Sequence, residues 1–292
     1  MKRALLFDLD DTLVVEEPAA VAAFLATAQV AVAHHRVEAD RLALAARERA
    51  RELWYATPAH PYCLRVGISS WEGLWCRFEG EQPDVRWLRE WSPRYRREAW
   101  SLALAEQGVH DPLLAEELGE RYGTERRERH DRFADVACLD ALRDSYKLAL
   151  VTNGASCLQR EKLSVAGLDD YFEVVTISGE FGVGKPEPSI FEHTLSLLGS
   201  DREHAVMVGD SLARDVDGAI AAGLRAVWVN RSVARPQANA PAWLPSPRSA
   251  TCQERFRPCP ARTYCRGCSA SHSSSIGRVK RICRPTRRHG RR

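Results

Sequence analysis

Apolar positions follow two different rhythms along this chain of 292 residues. Leu5-Leu6-Phe7 lies in a nearly continuous apolar run over 3–9, which predicts a buried strand running into Asp8, Asp10 and Asp11. From Pro18 to about Glu52 the pattern turns helical, rich in Ala, Leu, Arg and Glu, with Pro18 suited to a first helical turn. A looser stretch covers 55–70, after which Ser70 is expected to cap a helix through Phe78 that carries Glu72 and Glu79. Two further helices are predicted over 84–107 and 112–129, separated by "GVHDP". Residues 16–130 thus read as entirely helical.

Beyond Phe133 the rhythm alternates. Strands are predicted at 147–153, 172–178, 204–210 and 225–230, and helices at 135–146, 156–168, 188–198 and 213–223. Strands that are almost wholly apolar and alternate with helices imply a parallel sheet covered on both faces. The expected fold class is α/β: a Rossmann-like parallel core from residues 1–15 and 131–232, with an all-helical cap of residues 16–130 inserted after the first strand. Ligands of such sheets bind at the carboxyl ends of the strands. Asp8 and Asp10, Thr152 and Asn153, and Asp210 all fall there.

Composition refines this picture. The 45% hydrophobic and 28% charged content is that of a soluble globular protein, with no apolar run of membrane-spanning length. "MKRALLFDLDD" meets acid too early for a secretory leader, so a cytoplasmic enzyme is the expectation. The net charge of +3 conceals a split. Residues 233–292 hold 14 Lys and Arg against Glu254 alone, so this tail is +13 and the first 232 residues are −10. An acidic body argues against nucleic acid as its partner.

Asp8 and Asp10 lie two apart and would share one face of an extended strand. With Asp210 from another strand they form a carboxylate cluster that suits a hard divalent cation, and Mg²⁺ is the natural occupant. Such a metal would neutralise the cluster and polarise a phosphoryl group. An aspartate can then act as nucleophile, and a second acid can protonate the leaving oxygen and later take a proton from water. Thr152, the Asn153 and Gly154 amides, and Lys185 are suitable donors to phosphoryl oxygens, with Pro186 restricting the backbone of Lys185.

"DLDDTLV", "VTNG", "GKPEPSIF" and "GDSLARDV", in that order, resemble the four motifs of the haloacid-dehalogenase superfamily of phosphohydrolases. The resemblance covers about residues 1–232. It implies Asp8 as nucleophile, Asp10 as general acid/base, and Thr152 and Lys185 as phosphate ligands. It also implies Mg²⁺ held by Asp8, the Asp10 carbonyl and Asp210, with Asp215 supporting, and a helical cap that encloses a small phosphorylated metabolite. Dehalogenases of the same superfamily attack carbon, lack the second acid and need no metal. A carbon–halogen hydrolase is therefore the alternative, and a non-catalytic binding protein with a nucleic-acid-binding tail is a further one.

Other features carry plainer readings. Trp71/Trp75 and Trp87/Trp91 are four apart and, with Trp100, read as packing within the cap helices rather than as a substrate pocket. Arg65, Arg86, Arg89, Arg94, Arg96 and Arg97 read mostly as solvated. Asp11 is expected to point away from the site and stabilise the turn. In the tail, Cys265 and Cys268 with Cys259 and His272 give only a weak zinc signature. Its Arg-, Pro- and Ser-rich makeup predicts disorder, and the abrupt change of composition near residue 240 is also what an out-of-frame translation of a GC-rich gene would yield.

Overall fold

A computed structural model of the chain describes residues 2–231 and the backbone of 280–283. Five parallel strands form its centre: β1 (Arg3–Phe7), β2 (Tyr146–Thr152), β3 (Val174–Ile177), β4 (Ala205–Gly209) and β5 (Arg225–Trp228). Their spatial order is β3-β2-β1-β4-β5. Phe7 lies opposite Leu150 on β2 and Val208 on β4, so the carboxyl ends of these three strands come level. Alternate residues of β1 serve opposite faces, as strand geometry requires. Leu6 joins Val151, Phe191 and Met207 on one side, while Phe7 joins Leu150 and Leu163 on the other. The expected α/β class is the one the chain adopts.

The helical insertion that follows β1 holds six helices: α1 (Glu17–Val32), α2 (Ala39–Ala56), α3 (His60–Val66), α4 (Ser70–Gly73), α5 (Pro83–Ala105) and α6 (Pro112–Arg127). After them come α7 (Leu139–Ser145), α8 (Ser156–Val165), α9 (Ser178–Phe181), α10 (Pro188–Leu198) and α11 (Asp217–Ala221). In the insertion Phe24, Trp54, Tyr95, Trp100 and Tyr122 belong to one core cluster, which Ala155 and Leu158 join from beyond β2. The insertion's chain enters and leaves through adjoining segments. Val14 bridges to Arg132, the Val15 amide donates to the Asp131 carbonyl at 2.9 Å, and Phe133 donates to Leu13 at 3.1 Å.

Several predicted elements differ in detail. The helical pattern expected from Pro18 to about Glu52 forms two helices, divided at residues 33–38, which contain neither Gly nor Pro; the turn lets the alanine-rich faces of α1 and α2 pack on each other. The looser stretch hides α3, which ends on Gly67 at φ +78°. The helix expected through Phe78 is only α4, and its cap is Ser69 rather than Ser70. Ser69 Oγ accepts from the Glu72 amide, and the Glu72 carboxylate accepts from the Ser69 amide, which satisfies two end donors at once. Trp71 and Trp75 therefore do not share one continuous helix. The packing reading fits the tryptophans nonetheless: Trp75 and Trp100 are fully buried, and Trp87, Trp91 and Tyr95 stack along α5.

Within α5, Pro93 has no N–H to offer the carbonyl of Arg89, and Ser92 Oγ donates to that carbonyl at 3.3 Å instead. Residues 280–283 of the tail form β6 (Lys280–Cys283), antiparallel to β5, which is regular structure where composition predicted none. The unpaired groups of an edge strand supply the template for such pairing. The other tail residues, including those of the zinc signature, lie outside the described residues. Among the described residues no helix is long and apolar enough to cross a membrane.

Candidate active site

The strand ends gather the predicted residues. Asp8 follows the last residue of β1 and is 7% exposed; its amide donates to the Val208 carbonyl at 2.9 Å, which holds it to β4. Lys185 Nζ lies 2.7 Å from Asp8 Oδ1 and 2.7 Å from Asp215 Oδ1. Thr12 Oγ1 donates to Asp8 Oδ2 at 3.1 Å and accepts from the Asp210 amide at 3.0 Å, so one hydroxyl ties two strand ends together. The Ser211 amide donates to Asp215 Oδ2 at 2.8 Å. A Cβ on Gly209 would fall 2.4 Å from the Asp215 carboxyl carbon, so only glycine lets Asp215 approach. Asp8, Asp10, Lys185, Asp210 and Asp215 line one small polar pocket, with Arg214 at its exposed side.

Carboxylate oxygens of Asp8, Asp210 and Asp215 lie within 4.8 Å of one another. Three acids facing one ammonium leave surplus negative charge. Burial, with Asp8 and Asp215 adding to it, pushes Asp210 up to about 7. Burial also raises Asp8, against the opposing pull of Lys185. An oxygen-only donor set with uncompensated charge fits a hard divalent cation.

Asp10 stands apart. Its carboxyl is not in that trio; Oδ1 accepts from Lys162 Nζ at 3.0 Å and Oδ2 from Gln159 Nε2 at 2.8 Å. Burial raises Asp10 while Lys162 opposes the shift. Thr152 is fully buried, and its hydroxyl accepts from Gln159 Nε2 at 2.7 Å. The Asn153 side chain clamps the backbone of Lys185, donating to its carbonyl and accepting from its amide, both at 2.8 Å. Of the two backbone amides expected at phosphate, that of Gly154 is already taken, donating to the Val66 carbonyl at 3.0 Å and to Ser178 Oγ at 2.9 Å. Asp11 takes up φ +53°, and its carboxylate accepts from the Glu16 and Glu17 amides at the entry to α1, the turn role expected of it.

The insertion sits directly on this edge. The Arg65 carbonyl accepts from the Gly184 amide at 2.9 Å and the Val66 carbonyl from the Gly154 amide at 3.0 Å. Arg65, expected in solvent, also donates from Nε to the Gly182 carbonyl at 3.1 Å. Cys76 of the insertion and Cys157 on α8 bring their sulfurs to 3.7 Å. Hydrogen bonding from Cys76 lowers the Cys157 thiol to about 6, and burial raises Cys76 well above its ordinary value.

Sequence reasoning missed Thr12, Gln159, Lys162 and Arg214. A signal for two of them was present: Gln159 and Lys162 are three apart on α8 and so share a face, and both are buried there.

Comparison with known proteins converges on one family. A family model for haloacid dehalogenase-like hydrolases matches residues 2–223. The chain is 38% identical over 237 residues to a phosphoserine phosphatase of Thermus thermophilus, covering 80% of this chain and 91% of that protein. It is 38% identical over 150 residues to an N-acylneuraminate-9-phosphatase of Rattus norvegicus, covering 50% and 60% of the two chains. Among solved structures, the magnesium-bound HAD-hydrolase YfnB of Bacillus subtilis superposes with a TM-score of 0.52 at 23% identity, covering 80% of this chain and 91% of that one, a likeness of fold.

Proposed function

The chain belongs to the haloacid dehalogenase-like hydrolases, and on that premise we propose that it is a phosphatase, hydrolysing a small phosphate monoester through an aspartyl-phosphate on Asp8. The observation that carries this reading is the separation of two acids two residues apart: Asp8 pairs with Lys185 and Thr12, and Asp10 with Lys162 and Gln159. One set holds a nucleophile at the pocket floor, and the other holds a proton carrier beside it. Lys185, the Thr152 hydroxyl and the backbone amide of Asn153 would bind the phosphoryl oxygens.

Asp8, Asp210 and the carbonyl of Asp10 would hold Mg²⁺, with Asp215 supporting them. When bound, the ion supplies charge neutralisation and polarisation of the phosphoryl group. Asp8 attacks phosphorus while Asp10 gives its proton to the departing oxygen. Asp10 then takes a proton from the water that attacks the aspartyl-phosphate, and Asp8 is regenerated. The helical insertion acts as a cap over this edge and limits substrates to small molecules. The Thermus relative makes phosphoserine the first substrate to test, followed by sugar phosphates and nucleotides. The carbon–halogen alternative is weaker because a departing halide needs no proton, which would leave Asp10 without a task.

The test is phosphate release from phosphoserine and from an aryl phosphate, with Mg²⁺ and with EDTA. Metal-dependent turnover that falls about 10⁴-fold or more in Asp8→Asn is expected. Chloride release from a 2-haloacid in EDTA, with no phosphate release, would overturn the reading.

A further inference from the structure

The charged cluster behind Asp10 is larger than its proton chemistry alone requires. Lys162 is 1% exposed and has three acid partners: Asp10 at 3.0 Å, Glu72 at 2.7 Å and Glu16 at 3.2 Å. Two of the ammonium protons are hydrogen-bonded, to Asp10 and to Glu72, and Glu16 stands within ion-pair distance, which leaves the group little freedom to rotate. Two of these acids come from the helical insertion or its entry, and both are themselves fixed. The other oxygen of Glu72 accepts from the Ser69 amide at 2.9 Å and from Ser69 Oγ at 2.7 Å. Glu16 Oε2 accepts from Nη2 of Arg126 on α6 at 2.7 Å, and that arginine is fully buried.

Gln159, one turn before Lys162, holds the second oxygen of Asp10 and the Thr152 hydroxyl with the same Nε2. A Cβ on Gly154 would lie 2.8 Å from the Gln159 side chain, so the loop after β2 is shaped around that amide. The plane of the Asp10 carboxyl is therefore set from one face of α8. Buried ion clusters add little net stability compared with apolar packing of the same volume. Stability therefore does not account for four charged groups gathered behind one carboxyl.

We propose that Lys162 is a positioning residue that holds Asp10 for proton transfer to the leaving oxygen, and that Glu72, supplied by the helical insertion, holds Lys162 in that place. The proposal rests on the phosphatase reading above. The bond that breaks is the one between phosphorus and the leaving oxygen, and the bond that forms joins phosphorus to an oxygen of Asp8. The proton moves from Asp10 to the leaving oxygen in the same step, and nothing is oxidised or reduced. A misplaced Asp10 harms that transfer most when the leaving oxygen is basic, and least when it departs readily as an anion.

The experiment compares Lys162→Met, Lys162→Arg and Glu72→Gln with the wild type on a series of phosphate monoesters, from nitrophenyl phosphate to simple alkyl phosphates, in saturating Mg²⁺. General acid catalysis contributes on the order of 10²–10⁴-fold. In Lys162→Met, kcat for alkyl phosphates is expected to fall by about 10²-fold or more and for nitrophenyl phosphate by less than about tenfold, with KM little changed. Lys162→Arg should restore part of the loss, and Glu72→Gln should show the same leaving-group dependence at smaller amplitude. Equal losses across the series, or no loss, overturn the positioning role. If Lys162→Met does not fold, Glu72→Gln decides by the same readout. A wild type that turns over no monoester overturns the phosphatase reading itself, and the proposal with it.

Discussion

Two buried lysines flank the end of the first strand, and they are held on different terms. Lys185 pairs with Asp8 and Asp215, both belonging to the sheet core. Lys162 pairs with Asp10 from the core but also with Glu16 and Glu72, at the entry to and within the helical insertion. Burial alone would lower both ammonium groups, and in each case the surrounding acids outweigh it and raise them. The charge balance is similar, yet one cluster is complete within the sheet edge and the other only with the insertion in place. On the proposal above, what orients Asp10 depends on the helical insertion, whereas the partners of Lys185 do not.

The strongest way to break this comparison is Lys185→Met. It leaves Asp8 and Asp215 facing each other without a buried cation, which should lower stability by about 3–5 kcal/mol in denaturant unfolding. It should also lower kcat by about 10²–10³-fold. Millimolar Mg²⁺ should recover part of the lost stability, because the ion would sit among the same acids; Lys162→Met should recover none. Equal recovery in both variants would show that the two clusters do not differ as described.

Trp100→Ala sharpens the contrast from the insertion's side. The indole is fully buried and its centroid lies 6.0 Å from that of Phe24. Its removal should destabilise by about 3 kcal/mol, with Asp8 and Lys185 left as they are. At temperatures where the variant is folded, turnover of a small aryl phosphate should stay within about threefold of the wild type, since a folded insertion still presents its contacts and an effect below about 0.7 kcal/mol on the barrier is of that size. A collapse of kcat in the folded variant would mean that the insertion's core sets the pocket directly.

The smallest effect is expected at the boundary between the two units. Cys157 has its thiol lowered to about 6, so its thiolate persists above that pH and is lost as pH falls through it. Its alkylation by iodoacetamide, followed by mass spectrometry, should level off above about pH 7 and decline below about 6. Cys63, pushed up to about 12 by burial, should stay unlabelled in the same samples. A Cys157 rate still rising between pH 8 and 9 would show that Cys76 does not donate to it.

Much of this could be read from the chain, and the parts that could not share a cause. The five parallel strands were legible because a short, nearly continuous apolar run is a local pattern, and the level ends of β1, β2 and β4 then bring Asp8, Thr152 and Asp210 to one edge. The break between α1 and α2 was not, since residues 33–38 carry no Gly or Pro and packing decides the turn. Nor was the short α3, whose sequence "HPYCLRV" has only one turn's worth of apolar positions to show. Lys162 was hidden for another reason. Its partners lie 152 and 90 residues away in sequence, and a lysine in an amphipathic helix reads as a solvated one until the fold buries it.

The adjoining entry and exit of the insertion carry a consequence for how such a chain can change over generations. Because Val14 and Arg132 stand side by side, some 115 residues leave the sheet and return to it at nearly the same point. From the sheet's standpoint that excursion is equivalent to a short loop, and its length is free to drift. A lineage could exchange the whole cassette for another without altering a strand, acquiring new substrates while inheriting the old chemistry. The exchange would carry one condition: any replacement must again bring an acid to meet Lys162, or the lysine itself must be given up.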